Sequence, residues 1–526
     1  MKSSRKAENS ARQRWKIAGL MLAFFVLLGL IARGFSGRLK NWVKQEAIET
    51  LNARFASQVT LNEFDVSIYP RIRLSGQGLL LRLNGHLNSP PLISVARFSA
   101  DAGLMELIRR PSHLHNITLE GLEIHIPPRH EHPVAEAPAP HTKQPKPLPV
   151  VVDVMLIKNA RLELLSSDTG KPPRIFVISR LVMHQAGLGR PTFYHAWLLN
   201  PKPPGEIDCS GTFGPWNPQE PRETPLTGKY TFTHADLSVF RGIAGILSSE
   251  GNFHGTLENI AVQGTTGTPD FSVRLSGNAV NLTTQFHSVV DGTTGNTMLE
   301  PVVAHFLQTT LTARGGVLKV TGRKGRLLNL QVTSEQAHLD DLLRFAMKGG
   351  HPPLEGIANL STRMEIPPGP GDIADRMRLD GHFEIASVHF TQPSVDQKVQ
   401  ALNHKGLGKG QGDETSNVLS NLRARFVLRS AVLTFSDITF TLPGAAIRLS
   451  GTYQLDSQNL DFQGTLRLKA GLSQIVKGKK SLLLIPFDPF FRRGKSGTVL
   501  PIKVTGKANN PSFQLEVGRL LRHAYD

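Results

Sequence analysis

The sequence predicts a mainly β protein behind an N-terminal transmembrane helix, and three observations predict it. Apolar and polar residues alternate with period two through much of the chain. Segments with helical spacing are few and short. Residues 17–32 (IAGLMLAFFVLLGLIA) form one uncharged apolar run. At 526 residues, with 40% hydrophobic and 19% charged, the chain folds, has room for several ordinary domains and can bury a sizeable core.

The apolar run is closed by Trp15-Lys16 on one side and Arg33 on the other. At about 1.5 Å per residue it spans roughly 24 Å, and it crosses a bilayer core once Lys16 and Arg33 snorkel. A signal peptide cleaved after Ser36 is the alternative. Arg33 and the amphipathic helix that starts almost at once favour an uncleaved anchor. Residues 1–36 are then a cytoplasmic tail and anchor, with Lys2, Arg5, Lys6, Arg12, Arg14 and Lys16 inside and the bulk of the chain outside the cytoplasm.

Residues 37–126 come next. Leu39, Val43, Ala47, Leu51 and Phe55 recur every fourth residue, which predicts a helix over 38–56. Strands are expected over 59–64, 67–74, 78–83, 92–100 and 117–126, with a short helix over 104–109. Residues 127–149 contain eight prolines and cannot pack a core, so they are an exposed linker or loop.

Residues 150–399 read as a repetitive β region, with strands over 150–157, 160–165, 175–183, 227–233, 271–275, 316–321, 327–333, 354–366 and 379–390. Its helical segments are expected over Leu237–Leu247, Thr297–Phe306 and Leu339–Lys348. Residues 400–417 break the pattern with Gly406, Gly408, Gly410 and Gly412 and are expected to be a flexible insertion.

Residues 418–526 are a C-terminal β region that opens with a strand over 422–441 and then shows the clearest alternation. Ile447, Leu449, Tyr453 and Leu455 point one way, and Arg448, Ser450, Thr452 and Gln454 the other. After the turn Asp456-Ser457-Gln458-Asn459, Leu460, Phe462, Leu466 and Leu468 are set against Asp461, Gln463, Thr465, Arg467 and Lys469. An apolar sheet face needs a cover. So few helices cannot supply it, which leaves a second sheet, as in a sandwich, or a curved sheet whose open concave face holds a hydrophobic ligand.

Charge separates further classes. The net charge of +18 invites a nucleic-acid reading. Residues 1–44, however, carry ten Lys and Arg against Glu8, and residues 471–526 carry ten against three acids, so the long middle is close to neutral. Basic ends fit anionic membrane surfaces better than a nucleic-acid groove. The cluster Lys477, Lys479, Lys480, Arg492, Arg493 and Lys495 is a solvated face by default, and a contact for lipid headgroups or an acidic partner otherwise.

The segments Tyr69-Pro70-Arg71-Ile72-Arg73-Leu74-Ser75-Gly76 and Glu120-Gly121-Leu122-Glu123-Ile124-His125-Ile126-Pro127, behind an anchor and a helix, resemble the N-terminal region of AsmA-like proteins of Gram-negative envelopes. Val432–Phe440, Pro443-Gly444-Ala445, Leu449–Tyr453, Phe487–Phe491 and Gly497–Ile502 resemble the C-terminal region of that family. The resemblance implies a single-pass inner-membrane protein with a periplasmic body, similar to TamB and the bridge-like lipid-transfer proteins. It also implies a long, curved, mostly antiparallel sheet forming a taco-like groove. The function it implies is binding or transfer of phospholipid between membranes in support of outer-membrane biogenesis, with outer-membrane or periplasmic proteins as further partners. Carried onto this chain, Ile447, Leu449, Tyr453, Leu455, Leu460, Phe462, Leu466 and Leu468 become groove lining; ordinary core is the alternative. The rival function is a structural or assembly factor for outer-membrane proteins that carries no lipid.

No catalytic constellation, metal site or cofactor motif stands out, and no enzyme is expected. Cys209 is the only cysteine, so no intrachain disulfide forms, and its neighbours Ile207, Asp208, Ser210 and Gly211 point to an inert structural thiol. His113, His115, His125, His130 and His132 lack a spaced set of Cys or carboxylate co-ligands. Asp340-Asp341 reads as the acidic first turn of a helix rather than an acid–base pair.

Overall fold

A computed structural model describes residues 44–45, 48–49, 57–67, 72–83, 90–102, 112–126, 150–164, 174–187, 190–215, 223–274, 276–320, 322–347, 351–391, 393–407, 420–469, 498–508 and 510–515. The expected anchor, the Pro-rich segment, the helix over 104–109 and the basic cluster of residues 477–495 lie outside them. Of the helix expected over 38–56, the described residues Lys44, Gln45, Ile48 and Glu49 are helical. No described helix is long and apolar enough to cross a membrane. The chain forms two compact units, residues 1–201 with 208–225, and residues 202–207 with 226–526.

The first unit contains β1 (Ser57–Ser67), β2 (Ile72–Leu83), β3 (Ile93–Ala102), β4 (Ser112–Ile126), β5 (Val150–Leu164), β6 (Arg174–Gly187) and β7 (Thr192–Pro201). Each strand pairs with the next in sequence, all antiparallel except the parallel pair β4–β5. Alternation selects its core: Val95 faces Leu122 across β3–β4, and Ile157 faces Leu119 and Leu181 across its two neighbours. Val95, Leu122, Ile157 and Ala160 are buried there, on one apolar face.

β8 (Pro204–Phe213) is divided between the two units after Ile207. The second unit continues with β9 (Pro225–Asp236), β10 (Ile243–Ala244), β11 (Ile246–Thr256), β12 (Asn259–Val273), β13 (Ala279–Val290), β14 (Thr297–Phe306), β15 (Thr309–Lys319) and β16 (Arg326–His338). Next come helix α1 (Leu339–Ala346), β17 (Leu354–Ile366), the single turn α2 (Ile373–Arg376), β18 (Arg378–Phe390) and helix α3 (Pro393–Gly406). The unit ends in β19 (Asn421–Arg429), β20 (Val432–Thr441), β21 (Ala445–Gln454), β22 (Asn459–Leu468), β23 (Thr498–Lys507) and β24 (Asn510–Leu515). From β11 to β24 every strand pairs antiparallel with its successor. This sheet curls, so that side chains from β12 and from β17 through β24 face one shared space.

Four expectations are corrected. Thr297–Phe306 is strand β14, not helix; Pro301 falls where its register with β15 shifts, between Leu299 and Val302, and a bulge tolerates a residue without an N–H whereas a helix interior does not. Leu237–Leu247 is a 3₁₀ turn at Leu237–Val239 followed by the starts of β10 and β11, because Gly242 and Gly245 at φ +104° and +135° interrupt it. The start of the supposed flexible insertion at 400–417 is helical, since α3 runs to Gly406; residues 408–417 lie outside the described set. The strand expected over 422–441 is two strands, turned at Ser430 and Ala431, whose positive φ angles of 49° and 59° make a tight hairpin without glycine.

Side-chain hydrogen bonds fasten α1 at both ends. Asp341, in its first turn and 2% exposed, accepts the Gln308 N–H at 3.0 Å and the Thr309 hydroxyl at 2.8 Å, holding the β14–β15 turn. The Asn278 side-chain amide donates to the carbonyls of Arg344 and Met347 at 2.8 and 3.1 Å, holding the other end. Asn403 of α3 accepts the Gly444 N–H at 2.9 Å, which ties that helix to the β20–β21 turn.

Candidate functional site

The site grows from the alternating hairpin β21–β22. Its register sets Ile447 opposite Leu466, Leu449 opposite Gly464, Gly451 opposite Phe462 and Tyr453 opposite Leu460. Arg448, Ser450 and Thr452 pair on the other face with Thr465, Gln463 and Asp461. The apolar rows continue sideways. On β20, Leu433 meets Tyr453, Phe435 meets Gly451, Ile438 meets Leu449 and Phe440 meets Ile447. On β19, Leu422, Phe426 and Leu428 face Phe440, Phe435 and Leu433.

Phenylalanines run across these rows. The ring centroids of Phe383 and Phe426 are 6.1 Å apart, those of Phe426 and Phe435 6.4 Å, and those of Phe435 and Phe462 5.8 Å. The last contact passes over β21, where Gly451 has no side chain to block it. A Cβ at Gly451 would lie 2.1 Å from the Asp461 carbonyl oxygen, and one at Gly464 would lie 1.8 Å from the Arg448 carbonyl oxygen. Both glycines therefore let β21 and β22 approach closely.

Above these rows lies a cavity of about 660 Å³. Among the described residues that line it, Thr362 and Tyr453 alone have a polar side chain. Helix α1 supplies Leu339, Leu342, Leu343 and Phe345, α3 supplies Val399, and β23 and β24 supply Val504 and Phe513. Of the eight residues expected to line a groove, Ile447, Leu449, Tyr453, Leu455, Leu460 and Phe462 do border this cavity. Leu466 and Leu468 do not; at 3% and 2% exposed they belong to the packed core of the same unit. Sequence reasoning missed the contributions of α1 and of β18–β20. The period-two run Leu422, Ala424, Phe426, Leu428 carried the signal for β19, while the shift of register between Phe435 and Ile438 hid it in β20.

The remaining chemistry is scattered. Burial, with a smaller contribution from the Asp208 charge, pushes the Cys209 thiol up to about 11, so it is protonated at neutral pH. Burial likewise raises the Tyr194 hydroxyl. Two of the expected lone histidines have carboxylate neighbours on the parallel strand: His115 lies 3.2 Å from Asp153 and His125 3.4 Å from Glu163, while the His125 Nδ1–H donates to the Pro91 carbonyl at 2.8 Å. His130 and His132 lie outside the described residues. Asp341 is a structural acid at the start of α1, and Asp340 makes the same helix turn. Among the described residues no group of three or more His, Cys, Asp and Glu side chains is arranged to hold a metal ion. No protein family, curated protein or solved structure matches this chain.

Proposed function

We propose that the concave face of the second unit binds the acyl portion of a lipid. In this reading the chain is a non-enzymatic envelope protein, anchored in the inner membrane by residues 17–32, that binds or transfers phospholipid between membranes. The cavity lining carries the proposal. The cavity is partly open, so its unoccupied apolar lining stands against water, at roughly 25 cal/mol for each Å² left exposed. An apolar occupant removes that cost, and the volume lies within the range of roughly 300–1,000 Å³ usual for ligand sites. The resemblance to AsmA-like proteins and the basic chain ends support the same reading.

The test is photo-cross-linking with a phospholipid that carries a diazirine on its acyl chain. Leu449→Asp and Phe462→Asp place a charge in the cavity and abolish cross-linking, whereas Ser450→Asp on the opposite face leaves it intact. Equal cross-linking of all three variants would refute the proposal.

A further inference from the structure

The apolar lining contains one polar group that the fold leaves unmet. Tyr453 borders the cavity and is 8% exposed, yet its hydroxyl is buried with no hydrogen-bond partner among the described residues. Five residues on, in the same hairpin, the Gln458 side-chain amide nitrogen is also buried without a partner. Gln458 lies in the turn between Leu455 and Leu460, which both line the cavity, and is not itself a lining residue. The neighbouring turn is held against them, since the Ala508 N–H donates to the Gln458 carbonyl at 2.9 Å.

Leaving a buried donor unpaired is expensive, and the strand does not require it, because phenylalanine at 453 would pack against Leu433 and Leu460 equally well. Burial also raises the tyrosine above its ordinary titration range, so it is a donor at every physiological pH. A purely hydrocarbon ligand would leave the Tyr453 hydroxyl unsatisfied. A ligand with an acceptor at this end of the cavity would satisfy it.

Building on the acyl-cavity reading, we infer that Tyr453 marks the polar end of the site, where its hydroxyl donates to the carbonyl oxygen of an acyl ester or a fatty-acid carboxyl group. The hydrocarbon chain then runs along β21 from Tyr453 towards Ile447, six residues or roughly 20 Å of strand. The ligand is thereby oriented, with its head at the β21–β22 turn and its tail at the end of the strands where α3 is tied to Gly444.

Isotope-edited infrared spectroscopy on the full-length protein tests this with two probes, methyl palmitate and palmitic acid, each ¹³C-labelled at the carbonyl. Bound methyl palmitate should show a carbonyl stretch shifted to lower frequency, and Tyr453→Phe should remove that shift while weakening binding about five-fold, the factor for one net hydrogen bond. Gln458→Leu, outside the lining, should leave the shift in place. A Tyr453-dependent shift with the ester identifies an ester-linked lipid; one with the acid alone identifies free fatty acid. Probes that bind with the same carbonyl frequency in the parent and Tyr453→Phe proteins overturn this inference and leave the acyl cavity standing. Failure of both probes to bind the parent protein overturns the cavity reading itself.

Discussion

Replacing Asp341 by alanine should loosen α1 and open the cavity, by an amount the geometry fixes. Its Oδ2 takes two donors, the Gln308 N–H and the Thr309 hydroxyl, inside a site only 2% exposed. Hydrogen bonds to a charged acceptor are worth about 1.5–3 kcal/mol each, and truncation strands both donors. The helix also loses an acidic residue from its first turn. A total of about 4 kcal/mol corresponds to roughly a thousandfold shift in the local opening equilibrium. Asp341→Asn keeps an acceptor oxygen and should lose about half of this, roughly thirtyfold. Asp340→Ala, which removes only a half-buried helix-turn charge, should lose less than about 1 kcal/mol. Amide hydrogen exchange read at Gln308 and over 339–346 measures all three. Opening exposes Leu339, Leu342, Leu343 and Phe345, so an environment-sensitive apolar dye should report the same order. Exchange at Gln308 that is equal in the Ala and Asn variants, or unchanged in both, would show that the carboxylate does not fasten the helix.

Gly464→Ala drives a methyl group into the Arg448 carbonyl oxygen, which is backbone and cannot swing aside, so it should destabilise the second unit by about 1–3 kcal/mol; an unchanged Tm would contradict the close approach of β21 and β22. Asp372, 7% exposed, bonds Arg274 at 2.6 Å and caps α2 through the Ala374 N–H at 3.0 Å. Asp372→Ala should cost about 2–3 kcal/mol and Arg274→Ala, whose side chain is 77% exposed, less than about 1 kcal/mol; denaturation with equal losses would reverse the assignment. The buried Cys209 thiol near 11 against about 8.5 unfolded means roughly 300-fold less thiolate at pH 7.5, so iodoacetamide should label the native protein that much more slowly than the denatured one. The fold favours the protonated thiol, so its contribution to stability is complete below about pH 8.5 and is lost as pH rises towards 11; equal labelling rates would refute this.

The β-rich part of the fold class was legible because period-two alternation is a local signal, and β21 and β22 show it without interruption. The acidic start of α1 was legible for the same reason, since Asp340 and Asp341 sit directly ahead of an amphipathic run. What failed was local in appearance and long-range in cause. Thr297–Phe306 contains helix-compatible residues, but both its edges are taken by neighbouring strands. Six of the eight candidate residues border the cavity, yet nothing within 446–470 distinguishes Leu455, which does, from Leu468, which is sealed in the core. That difference is set by what lies above the sheet, and α1, which covers part of it, arrives more than a hundred residues earlier in the chain.

The parallel pairing of β4 with β5 imposes a requirement on chain length. Because Val150 lies beside Ser112 and Leu164 beside Ile126, the connection must travel back along the whole of β4, fourteen residue steps or about 46 Å. The chain has 23 residues for that return, 127–149, and at no more than about 3.3–3.6 Å per residue some fourteen are the minimum. Shortening of the return strip is therefore tolerated up to about eight or nine residues and then stops abruptly, because a shorter strip can join the two strands only if one of them reverses. Reversal of β5 would exchange the ends at which every later turn of the first unit emerges. The length of residues 127–149 thus decides on which rim of the sheet the rest of that unit places its loops.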